Sequence, residues 1–233
     1  MTSYESRAIS LLCHKYGEGS LIAKIFTEKY GLKSFNIKRP KGKKSKNKIP
    51  LLEKLSLVNI SAKNATNKEI QYLGEINLAH GCKNDSLKNK LIRIFIAEVL
   101  SKILIESEKD IKLFQFIWDL SIDLDDSINT DDNFCINFLI SLSEFLGFYP
   151  SIENTHYSFF NLNNSVFTEK EITTDINIKG ENLLFFRALI TKQRITIPHI
   201  NRQEIIEHLF FYYSTHHYNL NSVSSHKIIE SLR

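Results

Sequence analysis

Cysteine is scarce in this chain, which contains only three in 233 residues. Cys13, Cys82 and Cys135 lie far apart and form no C-x-x-C pattern. This spacing excludes a disulfide framework and a cysteine-based metal knuckle. A reducing cytosolic compartment fits the cysteine content best.

Long apolar runs are also missing. The most apolar stretch, residues 91–105, is interrupted by Arg93, Glu98 and Lys102. The first residues carry Glu5 and Arg7 and lack an apolar segment before a small-residue cleavage site. We therefore expect neither a signal peptide nor a membrane span.

Some segments are similar to catalytic or metal-binding motifs, but their residue spacing does not match those motifs. The sequence GKKS at 42–45 is similar to the end of a phosphate-binding loop, but the earlier glycine would fall at Ile37 and Lys43 is followed by lysine. His208, His216 and His217 lack the four-residue spacing of a metal-binding helix. No metal site, cofactor or chemical active site is expected, and the chain is predicted not to be an enzyme.

An acidic cluster is the remaining catalytic candidate. A calcium loop that began at Asp123 would need glycine at Ile128 and glutamate at Phe134, so that interpretation fails. A solvated helix end and turn explains the cluster, while a metal-dependent nuclease is kept as the enzyme-class alternative. The cluster consists of Asp119, Asp123, Asp125, Asp126, Asp131 and Asp132.

Charge is divided unevenly along the chain. Residues 1–80 contain 15 Lys and Arg against 6 Asp and Glu, whereas residues 81–233 contain 15 against 20. The net charge of +4 therefore combines a basic front with an acidic back. This difference suggests an N-terminal unit that binds nucleic acid and a C-terminal unit with other partners.

The basic charge is concentrated in one stretch, residues 38–48, which we call the basic loop. It holds seven cations and no acid in eleven residues, together with Pro40 and Gly42. Such a segment gains little by packing, so it is either a solvated linker or a loop that contacts phosphates. The candidates for phosphate contact are Lys38, Arg39, Lys41, Lys43, Lys44, Lys46 and Lys48, with Lys24, Lys29 and Lys33 as second choices.

Aromatic rings accompany these cations. Tyr16, Tyr30 and Phe35 lie in the same part of the chain and could stack on the bases of a single strand, while the alternative role for Phe35 is in a hydrophobic core. Cations that track phosphates and rings that stack on bases together predict binding that is sensitive to salt and tolerant of sequence.

The N-terminal third has the period of β-strands. Ile70, Tyr72, Gly74, Ile76 and Leu78 alternate with a second set, as in a half-buried strand. That second set is Gln71, Leu73, Glu75 and Asn77. Five short strands favour a small closed barrel, because closure removes exposed edges, and an OB fold is the natural candidate. The predicted strands cover residues 9–13, 21–25, 32–37, 51–61 and 70–78.

After residue 80 the period is that of helices. Ser86 is the predicted N-cap of a helix with Ile92, Ile96, Val99 and Ile103 on one face. Residues 151–180 lack a sustained period, although 157–161 and 165–169 could form a hairpin. Further helices are predicted at residues 111–124, 131–147 and 181–191. Another helix is predicted to begin at a capping box formed by Asn201 and Glu204 and to end near residue 217. The last helix is predicted from about residue 222 to the end.

We therefore predict an α+β protein with an OB-fold domain over residues 1–80. An all-helical domain is predicted over residues 81–233, with an irregular insertion at about 151–180.

Several segments resemble the RecO family of bacterial recombination mediators. They are YGEGSLI at 16–22, FTEKYG at 26–31 followed by the basic loop, LGFYP at 146–150, YY at 212–213 and SHKII at 225–229. The resemblance covers essentially the whole chain and implies an OB fold followed by a helical domain.

The resemblance also implies a function. Members of that family bind single- and double-stranded DNA, anneal complementary strands, and work with RecR to load RecA onto DNA covered by single-strand binding protein. They contact the acidic C-terminal tail of that protein through the helical domain. The resemblance thus implies a cytoplasmic, nucleoid-associated protein that needs no chemical step and no membrane.

A pocket for such a tail needs cations beside an apolar groove. The candidates are Arg187, Lys192, Arg194 and Arg202. Many members of the family carry a four-cysteine zinc module after the segment that corresponds to 146–150, whereas residues 151–180 of this chain contain no cysteine. Zinc is therefore not expected. The alternative function is a generic OB-fold protein that binds single-stranded RNA or DNA, or serves as a scaffold.

Overall fold

The computed structural model describes residues 2–38, 48–64, 69–83, 85–104 and 109–231. The chain divides into two compact units, residues 1–129 and 130–233, which we call the barrel unit and the helical unit. The first unit includes two helices that follow the barrel, so the compact units do not divide at residue 80. The division into domains at residues 1–80 and 81–233 stays a prediction.

Five strands form a closed barrel, which confirms the predicted OB-type architecture. Their order around the barrel is β1-β2-β3-β5-β4, with β4 returning to β1. The β3–β5 pair is parallel and the other pairs are antiparallel. The strands are β1 (Thr2–Tyr16), β2 (Ser20–Thr27), β3 (Gly31–Lys38), β4 (Leu57–Asn64) and β5 (Ile70–Leu78).

The barrel interior is filled by every second residue of its strands. Ala23 and Ile25 of β2 and Phe35 of β3 are completely buried there. Strand β4 begins later than predicted, since residues Ile49–Leu52 form a 3-10 helix with Pro50 in its first turn. Proline lacks the N–H that a ladder requires, which favours this departure from a strand.

A β-bulge interrupts β5 at Gly74. Ile60 of β4 pairs with Ile76, whereas Ala62 pairs with Leu73, so β5 uses three residues where β4 uses two. A Cβ atom at Gly74 would lie 2.8 Å from the Ser61 Oγ atom, so the backbones approach closely only because this residue is glycine.

The bulge reverses which residues of β5 face inward. Gln71 is buried before the bulge and Ile76 after it, while Ile70, Tyr72 and Leu78 are exposed. The predicted bounds of β5 are confirmed, but its alternating apolar residues do not form one buried face.

Two helices complete the barrel unit, α1 (Leu87–Ile103) and α2 (Ile111–Asp126). The Ser86 Oγ atom accepts a hydrogen bond from the Asn89 N–H, which confirms the predicted N-cap. The predicted apolar face of α1 is buried. In α2 the Phe114 ring packs against Phe26 of β2 with ring centroids 5.4 Å apart.

The helical unit contains α3 (Phe134–Phe145), α4 (Gly180–Ile190), α5 (His199–Thr215) and α6 (Ser225–Ser231). The capping box predicted for α5 is wrong, because this helix begins two residues before Asn201. The Asn201 Nδ2 atom instead donates to Asn182 Oδ1, and Asn182 Nδ2 donates to a carboxylate oxygen of Glu204.

A small sheet lies between α3 and α4 in the chain. The predicted hairpin is confirmed as β6 (Phe159–Asn161) paired with β7 (Val166–Thr168). A third strand, β8 (Asn177–Lys179), pairs with the other edge of β6 and was not anticipated. Phe160 and Phe167 are buried with ring centroids 4.9 Å apart, so aromatic packing holds this segment.

Candidate nucleic-acid interface

The basic loop begins where β3 ends and finishes beside β5. Arg39, Lys41, Lys43, Lys44 and Lys46 lie outside the described residues. At the two ends, Lys38 is exposed, whereas the Lys48 ammonium group donates to the carbonyl oxygen of Gly74 at 2.5 Å. Lys48 therefore holds the end of the loop against the bulge.

The register of β2 and β3 separates the three second-choice lysines. Lys24 pairs with Ser34 on the outer side of the barrel, while Lys33 pairs with Ile25, whose side chain is in the core. Lys29 is exposed in the turn between these strands. That turn lies about 23 Å along β2 from the basic loop, at 3.3 Å per residue. The structure thus groups Lys24 with Lys38 and sets Lys29 and Lys33 apart.

Three rows of paired residues define what we call the outer barrel face. Side chains that are opposite in register point to the same side of a sheet. The rows are Tyr16–Ser20–Lys38, His14–Ile22–Asn36–Tyr72 and Leu12–Lys24–Ser34–Ile70, each read from β1 through β2 and β3 toward β5.

Only one of the three predicted stacking rings is exposed. Phe35 is completely buried, so its alternative role in the core is the correct one. Tyr30 is half-buried and packs edge-on against Tyr4, with ring centroids 4.6 Å apart. Tyr16 is 56% exposed, and Tyr72, which was not predicted as a site residue, is 59% exposed.

The exposure of Tyr72 could have been found only through Gly74. The alternation of β5 placed Tyr72 in one set with Ile76, which is buried. A glycine inside a strand signals a bulge, and a bulge shifts the side-chain period by one residue.

The helical unit contains a groove of about 860 Å³, which we call the helical groove. Ile140, Leu189 and Ile195 supply apolar lining, and Lys192 and Arg194 supply two exposed cations. Asn133 also lines the groove, where its buried Oδ1 atom accepts no hydrogen bond from the residues that the structure describes. Glu144 and Asp131 add negative charge at the same lining.

The other two tail-binding candidates have partners inside the protein. The Arg187 guanidinium donates to the Tyr157 carbonyl at 2.8 Å and lies 5.8 Å from the centre of the Phe167 ring. Arg202 is buried and forms an ion pair with Glu230 at 2.8 Å. The structure thus brings Lys192 and Arg194 together and leaves Arg202 enclosed.

Members of the acidic cluster serve separate structural roles. Asp125 is buried and forms an ion pair with Arg93. Asp126 pairs with Lys83 and His80, and hydrogen bonding to Lys83 is the main reason that the Asp126 pKa is lowered. Over the described ranges, no group of three or more His, Cys, Asp or Glu side chains is arranged to hold a metal ion.

The histidines of α5 are also separated. His208 is half-buried, and burial lowers its pKa. His216 stacks on the Phe148 ring with centroids 4.3 Å apart, and burial lowers its pKa as well. Among the helices that the structure describes, none has the length and apolar character needed to cross a membrane.

Comparison with known proteins agrees with the barrel fold. Residues 1–82 match the family model described as "Recombination protein O N terminal". The chain is 29% identical to the DNA repair protein RecO of Flavobacterium psychrophilum, over 98% of this chain and 97% of that relative. It is 28% identical to the protein of the same name from Azobacteroides pseudotrichonymphae, over 98% of both chains. The chain is thus similar over nearly its whole length to relatives named DNA repair protein RecO, and its first 82 residues match the N-terminal model of that family.

Proposed function

We propose that this chain is a recombination mediator that binds single- and double-stranded DNA. It anneals complementary strands and, with RecR, helps to load RecA onto DNA coated with single-strand binding protein. It acts in the cytoplasm on the nucleoid and catalyses no chemical step. The observation that carries the proposal is the outer barrel face, with Lys24 and Lys38 beside the start of the basic loop.

Charge neutralisation supplies the mechanism. Lys38, Lys24 and the cations between residues 39 and 47 bind phosphates of either strand, which releases counterions and lowers the repulsion between strands. Complementary strands that are held close then pair through their own bases. Lys48 contributes by holding the loop end, since its ammonium group already donates to the Gly74 carbonyl. Lys29 lies in the turn at the far end of β2, and Lys33 is in register with core-facing Ile25, so both contribute less.

The helical groove is the proposed site for the acidic tail of single-strand binding protein. Ile140, Leu189 and Ile195 offer apolar contact, while Lys192 and Arg194 offer positive charge to carboxylates. Of the four candidates in the helical unit, these two cations are retained. Arg187 and Arg202 are left out because they have partners within the protein.

Annealing of coated strands tests the proposal. Two complementary oligonucleotides are each coated with the cognate single-strand binding protein, and annealing is followed by fluorescence energy transfer. The test variant carries Lys41→Glu, Lys43→Glu, Lys44→Glu and Lys46→Glu. A matched control reverses the same number of exposed lysines elsewhere, at Lys102, Lys109, Lys112 and Lys170.

We expect the wild type and the control to anneal coated strands and the loop variant to fail. The slope of log affinity against log salt should fall by roughly 3 in the loop variant, at about 0.7 to 0.9 for each lost phosphate contact. Lys192→Glu with Arg194→Glu should still anneal naked strands but not coated ones. A wild type that binds neither single- nor double-stranded DNA would contradict the proposal. Tighter binding to single-stranded RNA would favour the generic OB-fold alternative.

A further inference from the structure

The outer barrel face carries two exposed aromatic rings whose positions are not explained by packing in the barrel core. Tyr16 and Tyr72 are each more than half exposed. Tyr16 lies at the end of β1, and Tyr72 lies three strands away on β5, one row further along. Three strand-to-strand steps separate the two rings, a path of about 14 Å along the curved surface of the closed barrel at about 4.8 Å for each step. Ile70 stands beside Tyr72 on the same face and is also exposed.

Positive charge lies between and beside the rings. Lys38 is in the same row as Tyr16, and Lys24 is in the same row as Ile70. The three rows contain no acidic residue. The nearest acids in the chain are Glu18, in the turn between β1 and β2, and Glu69, before β5. A chain of phosphates can therefore cross this face without meeting a carboxylate in the rows.

Another face of the same barrel has the opposite character. Glu5 of β1 is opposite Ser61 of β4, and Glu75 of β5 lines the same shallow cavity of about 380 Å³. Three glutamates line that cavity against two cations, Arg7 and Lys29, and Arg7 already pairs with Glu28 at 2.7 Å. Charge complementarity thus assigns a polyanion to the outer barrel face and not to this acidic side.

We propose that Tyr16 and Tyr72 form a base-stacking site that selects single-stranded DNA over duplex. Every base has a π-face, so stacking on a tyrosine ring tolerates any sequence. In a duplex these faces are stacked on neighbouring bases, and only a single strand can offer them to the protein. The proposal rests on the proposed function, because it assumes that the barrel binds DNA. It adds that strand selectivity resides in the two rings, while the basic loop binds phosphates of either form.

Binding of a fluorescent oligothymidylate and of a duplex by the full chain tests this assignment. The test variant is Tyr16→Ala with Tyr72→Ala. Tyr16→Phe with Tyr72→Phe is the matched control, because phenylalanine retains the ring. Circular dichroism and thermal unfolding verify that both variants fold.

Loss of the two rings should weaken single-strand binding by roughly 30-fold or more, since each stacked base contributes roughly fivefold at the low end. Duplex binding should change by less than about twofold, and the salt slope should stay as in the wild type, because no phosphate contact is lost. The phenylalanine variant should bind like the wild type. In the wild type, photo-crosslinking to an oligonucleotide that contains iododeoxyuridine should label Tyr16 and Tyr72.

Single-strand affinity that is unchanged in the alanine variant, or crosslinks that map elsewhere, would overturn the base-stacking site while the proposed function stands. An equal loss for single strand and duplex would also overturn it. A wild type that binds no DNA would instead remove the proposed function itself. If the double variant does not fold, each single alanine variant and the crosslinks of the wild type decide the question.

Discussion

The lysines of the barrel lie at or near the surface, whereas an arginine of the helical unit is buried in its interior. Lys38 of β3 is exposed, and the Arg7–Glu28 pair of the barrel is about one-third exposed at both side chains. In the helical unit the side chains of Arg202 and Glu230 are only 5% and 3% exposed. Lys38 of the barrel can therefore contact a ligand, while Arg202 is held inside the helical unit by its ion pair.

The two regions also differ in how they satisfy buried polar groups. Strand ladders pair the backbone of the barrel, so its core can be filled almost entirely by apolar side chains. The helical unit uses buried tyrosines: the Tyr212 hydroxyl donates to the Phe148 carbonyl, and the Tyr213 hydroxyl donates to the Leu139 carbonyl at 2.7 Å. Burial raises the Tyr213 pKa well above its usual value. Buried polar side chains of the helical unit thus hold its segments in one packing arrangement through hydrogen bonds.

The largest effect should come from breaking the buried ion pair. Arg202→Met removes the ion-pair partner of the buried Glu230 carboxylate, so we expect a loss of about 3 to 5 kcal/mol in the free energy of unfolding. Arg194→Met, an exposed cation in the same unit, should change it by less than about 0.5 kcal/mol. Chemical denaturation followed by circular dichroism measures both values.

The double change Arg202→Met with Glu230→Leu sharpens the same comparison. Removing both charges leaves no carboxylate buried at this position, so most of the lost stability should return. DNA affinity should stay unchanged in all of these variants. If Arg202→Met left stability intact and weakened DNA binding, the assignment of Arg202 to the interior would be wrong.

A smaller effect is expected at the two ends of the basic loop. Lys48→Met removes the hydrogen bond to Gly74, so the free energy of unfolding should fall by about 1 kcal/mol while the salt slope of DNA binding stays the same. Lys38→Met should leave stability unchanged and lower that slope by about 0.7 to 0.9. Binding titrations over a series of salt concentrations, together with thermal unfolding, measure the two variants. The reverse pattern would make Lys48 the phosphate contact.

The smallest effect should come from the partly exposed ion pair of the barrel. The hydrogen bond from Arg7 is the main reason that the Glu28 pKa is lowered. A lowered folded-state pKa stabilises the protein above the ordinary glutamate pKa of about 4.3, and this contribution disappears as pH falls through the folded-state value. Glu28→Gln should therefore cost less than about 1 kcal/mol at neutral pH and nothing in strong acid. Unfolding curves at several pH values test this, and a loss that persists in acid would point to packing instead.

Much of the barrel was predictable because its signals are local. Alternation along the strands, turns between them and a serine at the start of α1 each depend on neighbouring residues, and the structure confirms them. The Asn201 capping box failed because Pro198 and His199 begin α5 earlier, and the Asn201 side chain bonds to Asn182 on another helix. Contacts across the fold decide such cases.

The candidate site was predictable only in part for the same reason. The cations of the basic loop are close together in the sequence, so this charged segment could be identified directly. The burial of Arg202 depends on Glu230, which is 28 residues away, and no local pattern signals that pair. The grouping of Lys24 with Lys38, and of Tyr16 with Tyr72, follows from strand register, which alternation alone does not define.

The bulge at Gly74 gives β5 two phases. Downstream of it, even-numbered Ile76 points inward, whereas upstream the odd-numbered Gln71 does so. In a continuous strand in phase with Ile76, Tyr72 and Ile70 would enter the barrel and Gln71 would leave it. If the bulge were straightened with every residue retained, the upstream half of β5 would therefore turn inside out, whereas deletion of residue 74 would leave a regular strand with Leu73 and Gln71 still facing inward. The chemistry that this side of the barrel offers to solvent thus depends on one backbone irregularity further along the same strand.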